Sequence, residues 1–141
     1  MKLKKEIFFI CFIILFIISL ELITNYISKK SVDTIYPKIV SINLSLEKNN
    51  VMKENNTLDK RDKEKLQDEI IKLKRCWINM QDKLSYFFEH NELEKVTKSI
   101  VVLEENAKNE EYTNALEDGK EFIYWLEHFN EKDSLKLKNI F

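Results

Sequence analysis

Glycine and proline are nearly missing from this chain, one of each in 141 residues. Tight hairpins and long irregular loops both need such punctuation, so composition alone favours helix. One glycine also leaves no phosphate-cradling loop. Histidine and cysteine occur twice each. No excess charge of either sign exists: the net charge is −1, and beyond residue 27 lie 20 of the 23 basic and 22 of the 24 acidic side chains. That balance, without a basic stripe or interleaved aromatics, excludes nucleic acid as a partner. No nucleophile, base and orienting group can be assembled. The carboxylates sit beside lysines at i, i+4 and read as solvated helix surface, not an acid–base pair. Catalysis needs polar groups held in a concave, partly dry pocket, and nothing marks one. The expectation is a chain that is not an enzyme and carries no cofactor.

What the chain does have is a long apolar start. Residues 7–20 are apolar apart from Ser19, and the run passes Glu21 to reach Leu22 and Ile23. Residues 7–27 meet the length of about 20 that a spanning helix needs, with Glu21, Thr24 and Asn25 near headgroup depth. A cleaved signal peptide shares the basic start and apolar middle, but Leu20, Glu21, Leu22 and Ile23 offer no small-residue cleavage site. Cys11 stands among Phe9, Ile10 and Phe12 and does not read as a lipidated cysteine. An uncleaved signal-anchor is the expectation. Lys2, Lys4 and Lys5 crowd the first flank, whereas Lys29, Lys30 and Lys38 are spread along the second. The bias predicts a single-pass protein of the cell membrane with residues 1–6 a cytoplasmic tail and 28–141 an extracytoplasmic domain.

Past the anchor, apolar residues recur three and four apart in four series. The first is Val32, Ile35, Ile39, Ile42 and Leu46; the second is Leu66, Ile70, Leu73, Trp77, Met80, Leu84 and Phe87. The third is Leu93, Val96, Ile100, Leu103 and Ala107, and the fourth is Tyr112, Ala115, Gly119, Phe122, Leu126 and Phe129. Only an amphipathic helix uses that period. Flanking Val40, Leu44, Ile71, Ile78, Phe88, Val101 and Val102 widen the faces beyond a two-helix seam. The expected core comprises Leu66, Ile70, Leu73, Trp77, Met80, Leu84, Phe87, Leu93, Val96, Ile100, Leu103, Tyr112, Ala115, Phe122, Leu126 and Phe129.

The breaks between series predict where helices start and stop. Thr34 as an N-cap would put Pro37 at the third helical position, where its missing N–H costs nothing. Asn49, Asn50, Asn55, Asn56 and Thr57 bracket a weak stretch read as loop or frayed turn. Asn91 and Glu94 form a capping box just after His90, Asn109 is placed to cap the next helix, and Asn130 to close it. Asp133 would cap a last turn. The predicted fold is all-α: a transmembrane helix, then an antiparallel bundle of about four helices at 34–48, 59–89, 92–106 and 110–129, with a short turn at 134–140. Gly119, inside the fourth apolar face, predicts a close approach by a neighbouring helix.

Trp77, the run Phe87-Phe88-Glu89-His90-Asn91-Glu92-Leu93, the spacing to Ala115-Leu116 and the ending Leu137-Lys138-Asn139-Ile140-Phe141 carry a family resemblance. The chain resembles an uncharacterised family, DUF4363, of short membrane-anchored helical proteins from clostridia and related Firmicutes. The resemblance covers roughly residues 5–141 and is least clear over 49–57. It implies a single-pass anchor and an all-helical external domain, and no reaction.

Each candidate site has a plainer reading beside it. His90 and His128, with nearby carboxylates, would share one pole of the bundle and suit a metal ion, but lack the i, i+4 spacing of a zinc motif. The plainer reading makes both surface histidines at helix C-termini. Cys76 is either an inert core thiol or a link to another chain, and a bridge to Cys11 is geometrically excluded. Trp77, Trp125, Tyr112, Phe122 and Phe129 either fill the core or line an apolar groove. The function expected is an interaction or accessory module, binding a second copy or another envelope protein; the alternative is a sensing or binding module for a lipid or small apolar ligand. The bilayer itself is the partner of residues 7–27.

Overall fold

The computed structural model describes the backbone of residues 2–138 and the side chains of residues 4–129. Four α-helices account for it: α1 (Lys2–Glu54), α2 (Lys60–Leu84), α3 (His90–Lys108) and α4 (Tyr112–Lys138). Each packs on its neighbour in sequence, and α4 closes against α1. The fold is all-α.

The expected break between anchor and first bundle helix does not exist. α1 is one helix of 53 residues with Pro37 inside it, about 80 Å long. Thr34 is no N-cap: its hydroxyl donates to the Lys30 carbonyl at 2.7 Å, as Ser31 does to Ile27 at 2.8 Å. No glycine offers a stopping point here, so these hydroxyls fold back on their own helix. Pro37 leaves the Asp33 carbonyl without its helical donor. Both residues are exposed, so water can serve that carbonyl. The asparagine-rich stretch from 49 is likewise helical up to Glu54.

Two helices end without glycine. After α1, Thr57 N–H donates to the Met52 carbonyl (2.8 Å) and Asn56 N–H to Lys53 (3.1 Å), with Asn56 at φ 55°. After α3, Glu111 N–H donates to Asn106 (2.9 Å) and Glu110 N–H to Ala107 (3.2 Å), with Glu110 at φ 61°. Both are paired C-terminal closures that need a left-handed residue. Asn109 therefore ends α3 and does not cap α4. Asp59 starts α2 by accepting from the Asp62 N–H at 2.8 Å.

α2 stops at Leu84, five residues before the expected end, and α3 starts at His90 with Glu89 as its N-cap. Asn91 thus lies inside the first turn of α3 and forms no capping box. The correction reaches the core: Phe87 sits half-buried in the turn, and Phe88 packs on Phe129 with ring centroids 4.9 Å apart. A turn that reverses the chain rotates the next aromatic inward, which helical spacing does not anticipate. At the other end, α4 runs helical to Lys138, so Asn130 does not close it and Asp133 starts no new turn. The rest of that expected turn, residues 139 and 140, lies outside the described residues.

The buried cluster draws on all four helices. Ile35, Ile39, Ile42 and Leu46 of α1 meet Leu66, Ile70, Leu73 and Leu84 of α2, Leu93, Val96, Ile100 and Leu103 of α3, and Ala115, Phe122 and Leu126 of α4. Met80 is partly buried at its edge. Gly119 marks a close approach of α4 to α1: a Cβ built there would overlap the Asn43 amide oxygen, which is buried without a hydrogen-bond partner. Gly119→Ala is expected to destabilise the full chain in micelles by about 1–3 kcal/mol through overpacking. Combining it with Asn43→Ala should recover most of that loss. A double variant as unstable as the sum of the two singles, by thermal melting, would rule out this contact as the cause.

Candidate functional site

The largest exposed apolar surface is the first half of α1. From Ile7 to Leu20 its large side chains are exposed on every side, and protein covers none of its most apolar stretch. α1 is the one helix, among the described residues, long and apolar enough to cross a membrane. A helix apolar all round belongs in lipid or a core, and here no core surrounds it. Above the run come Tyr26 and Lys30, whose ammonium lies 5.7 Å from the Tyr26 ring centroid. Such residues suit the membrane interface.

In its second half α1 presents two faces. Ile35, Ile39, Ile42 and Leu46 are buried, whereas Leu44 (62% exposed) and Val51 (55% exposed) lie on the opposite side, with Tyr36 at its flank, half-buried Val40 between them and the exposed charges of Asp33 and Glu47 in the same band. Beside this outer face is an open groove of about 400 Å³ between α1 and α2, lined by Thr34, Pro37, Ser41 and Leu73 together with Lys38, Glu69 and Lys72. Its mixed charge favours no one class of small ligand.

Trp77 occupies the centre of the domain with 0% exposure. Its indole N–H donates to the Thr97 hydroxyl of α3 at 2.9 Å. Its ring stacks on Phe129 (6.4 Å) and meets Phe122 edge-on (6.1 Å), both from α4. Thr97 passes its own proton to the Leu93 carbonyl at 2.9 Å, with the Gln81 amide oxygen at 3.2 Å as the alternative. One side chain therefore joins three helices and satisfies its polar atom. Trp125 lies nearer the surface, with Lys95 4.5 Å from its ring centroid and His128 edge-on to it at 5.8 Å. Cys76 is a half-buried free thiol and Cys11 an exposed one on the apolar part of α1.

The two histidines do fall at the same pole, but not as expected. His90 is the first residue of α3 and not the end of α2. His128 stacks on Tyr124 at 6.5 Å. Among the described residues no three His, Cys, Asp or Glu side chains converge as a metal site would require.

At the opposite pole Glu110 gathers the ends of three helices, a feature that spacing did not mark. Its carboxylate pairs with Lys63 of α2 at 2.6 Å, and its carbonyl accepts from Lys53 of α1 at 2.7 Å. Lys53 also lies 5.9 Å from the Tyr112 ring centroid. The Lys63 hydrogen bond holds the Glu110 carboxyl below its usual value, and the same bond raises Lys63. Burial pushes the Tyr112 hydroxyl up. An acidic residue in a left-handed conformation carries strain, and these contacts hold it there. The only sequence signal was the absence of a glycine where a helix had to end.

The Glu110 contribution should be complete above the ordinary carboxyl value of 4.5 and vanish as pH falls through the lowered native value. Lys63 behaves in the opposite sense, losing its contribution only as pH rises through a native value above 10.5. The melting-temperature difference between the parent and Glu110→Gln should therefore stay constant from about pH 6 to pH 9 and close as the pH falls below 4.5 through the lowered native value. A difference that persists at the acid end would exclude the pair as its source. At the core, Trp77→Ala should cost about 3–5 kcal/mol of a total commonly about 5–15 kcal/mol, while exposed Lys98→Ala changes melting little. Parent-like melting of Trp77→Ala would show that the indole does not hold the three helices.

Comparison with curated proteins and with solved structures returns no match. A family described as "Domain of unknown function (DUF4363)" matches residues 22–140. The match begins at the end of the apolar run and takes in the bundle half of α1 with all of α2, α3 and α4. The chain belongs to the DUF4363 family.

Proposed function

We propose that this protein is a single-pass, membrane-anchored interaction module, with residues 1–6 in the cytoplasm and the helical domain from residue 28 outside. The reading assigns it no catalysis. One observation carries it: the same helix that offers lipid a fully exposed apolar surface continues into the domain and keeps Tyr36, Leu44 and Val51 exposed on an outer stripe above the membrane, with half-buried Val40 and the charges of Asp33 and Glu47 among them. A stripe on a helix that also spans is held at fixed height and orientation. It suits a partner in the same membrane, a second copy or another envelope protein. The unequal lengths of α2 and α3 expected from spacing are smaller in the structure, 25 and 19 residues, so α1 and not α2 offers the surface needing cover. The ligand-cavity alternative gains less support, because Trp77, Phe122 and Phe129 pack on one another.

Alkaline washing should leave the full chain in the membrane, and external protease should digest the domain in right-side-out vesicles. Crosslinking in the native membrane, read by mass spectrometry, should join peptides around Leu44 and Val51 to one reproducible partner. Leu44→Asp with Val51→Asp should abolish that product and leave melting unchanged, since both positions are solvent-exposed. A chain that stays monomeric with no partner across several crosslinker chemistries would overturn the interaction reading. A protected domain would overturn the orientation.

A further inference from the structure

The turn joining α2 to α3 carries three consecutive aromatics, Tyr86, Phe87 and Phe88. Phe88 is anchored on Phe129, Phe87 is half-buried, and Tyr86 is 84% exposed. A fully solvated tyrosine beside a half-buried phenylalanine, on the tip of a turn, has no role in the core. Its height above the membrane follows from register. α2 runs antiparallel to α1, with Ser45 donating to Glu69 at 3.3 Å and Lys48 paired to Asp62 at 3.3 Å. From Glu69 to Leu84, α2 descends about 22 Å, which brings its end level with Lys30 of α1. The turn that follows lies level with residues 27–30. That is where the expected span, residues 7–27, ends and where Tyr26, Lys29 and Lys30 are exposed. Lys83, in the last turn of α2, is exposed at the same height.

We infer that the α2–α3 turn is a second membrane contact, with Tyr86 and Phe87 seated among the headgroups of the bilayer that α1 spans. The inference rests on the spanning reading proposed above. Tyrosine rings with an apolar body and a polar tip, flanked by lysine, are what a membrane interface accepts. The lipid occupant follows from the register, which sets the turn at the membrane boundary. α1 fixes the height and rotation of the domain, and a second contact at a separate point narrows the range of tilt open to both.

The test uses the full chain in phosphatidylcholine–phosphatidylglycerol vesicles, with a nitrobenzoxadiazole label on single cysteines. Tyr86→Cys and Thr57→Cys, the latter at the far pole, are each made in a Cys11→Ser, Cys76→Ala background. The natural Cys11, labelled in a Cys76→Ala chain, reports the span. Lipid carrying a doxyl group near the headgroup end of its acyl chain should quench the label at 86 at least about threefold more than at 57, as for a probe at headgroup depth against one in water. Equal quenching at 86 and 57, with Cys11 quenched, would overturn the turn contact and leave the span standing. An unquenched Cys11 would overturn the span and this inference with it. The otherwise natural chain supplies a second readout: in vesicles, Tyr86→Asp should make tryptic cleavage after Lys83 severalfold faster than in the parent. An unchanged rate would count against the contact.

Discussion

Everything in this molecule hangs on the continuity of α1, whose hydrogen-bond ladder lacks the rung that Pro37 cannot supply. A helix satisfies its own backbone groups, so the same 53-residue element is stable with an apolar surface all round and with a divided one. Its apolar run, residues 7–20, has no protein around it. The second half supplies one wall of the domain and gives α4 its longest neighbour. Had the chain broken near residue 30, the domain would hang on a flexible connection and its height and rotation would be undefined.

Packing on that wall is organised from the centre outward. Trp77 reaches α3 through a hydrogen bond and α4 through two ring contacts, so α2 is tied to its neighbour α3 and, across the core, to α4. The α1–α4 seam depends on the lack of a side chain at Gly119, beside the Asn43 amide. Glu110 draws the lysines of α1 and α2 onto the α3–α4 turn. These are three different devices, one dispersive, one steric and one electrostatic. Each works at a place the other two do not reach.

The apolar series were legible because burial on a helix leaves a period that survives any detail of packing. Val32, Ile35, Ile39, Ile42 and Leu46 are all buried, although the helix that holds them starts 30 residues earlier than spacing indicated. What periodicity cannot carry is where a helix stops. Thr34 and Asn91 have the chemistry of caps, yet a residue that can cap can also sit in a first or middle turn when its backbone is already helical. Phe87 continued the three-four series by accident of composition, while the true end at Leu84 was decided by the turn that follows. Asn56 and Glu110 adopt left-handed conformations that neither residue type announces on its own. The candidate site was legible only as the apolar run; the outer stripe, the α2–α3 turn and the Glu110 cluster all required three-dimensional register.

The continuity of α1 also makes the molecule a lever. In the proposed spanning arrangement, with no joint at the surface of the bilayer, a change in tilt of the apolar half is transmitted rigidly along the other half. For a span held in lipid, hydrophobic mismatch sets that tilt. A swing of about 10° moves the far end, about 40 Å away, by about 7 Å. Bilayer thickness would thus be converted into the sideways position of the Glu110 pole, with Pro37 the one place along the shaft where the stroke could be absorbed.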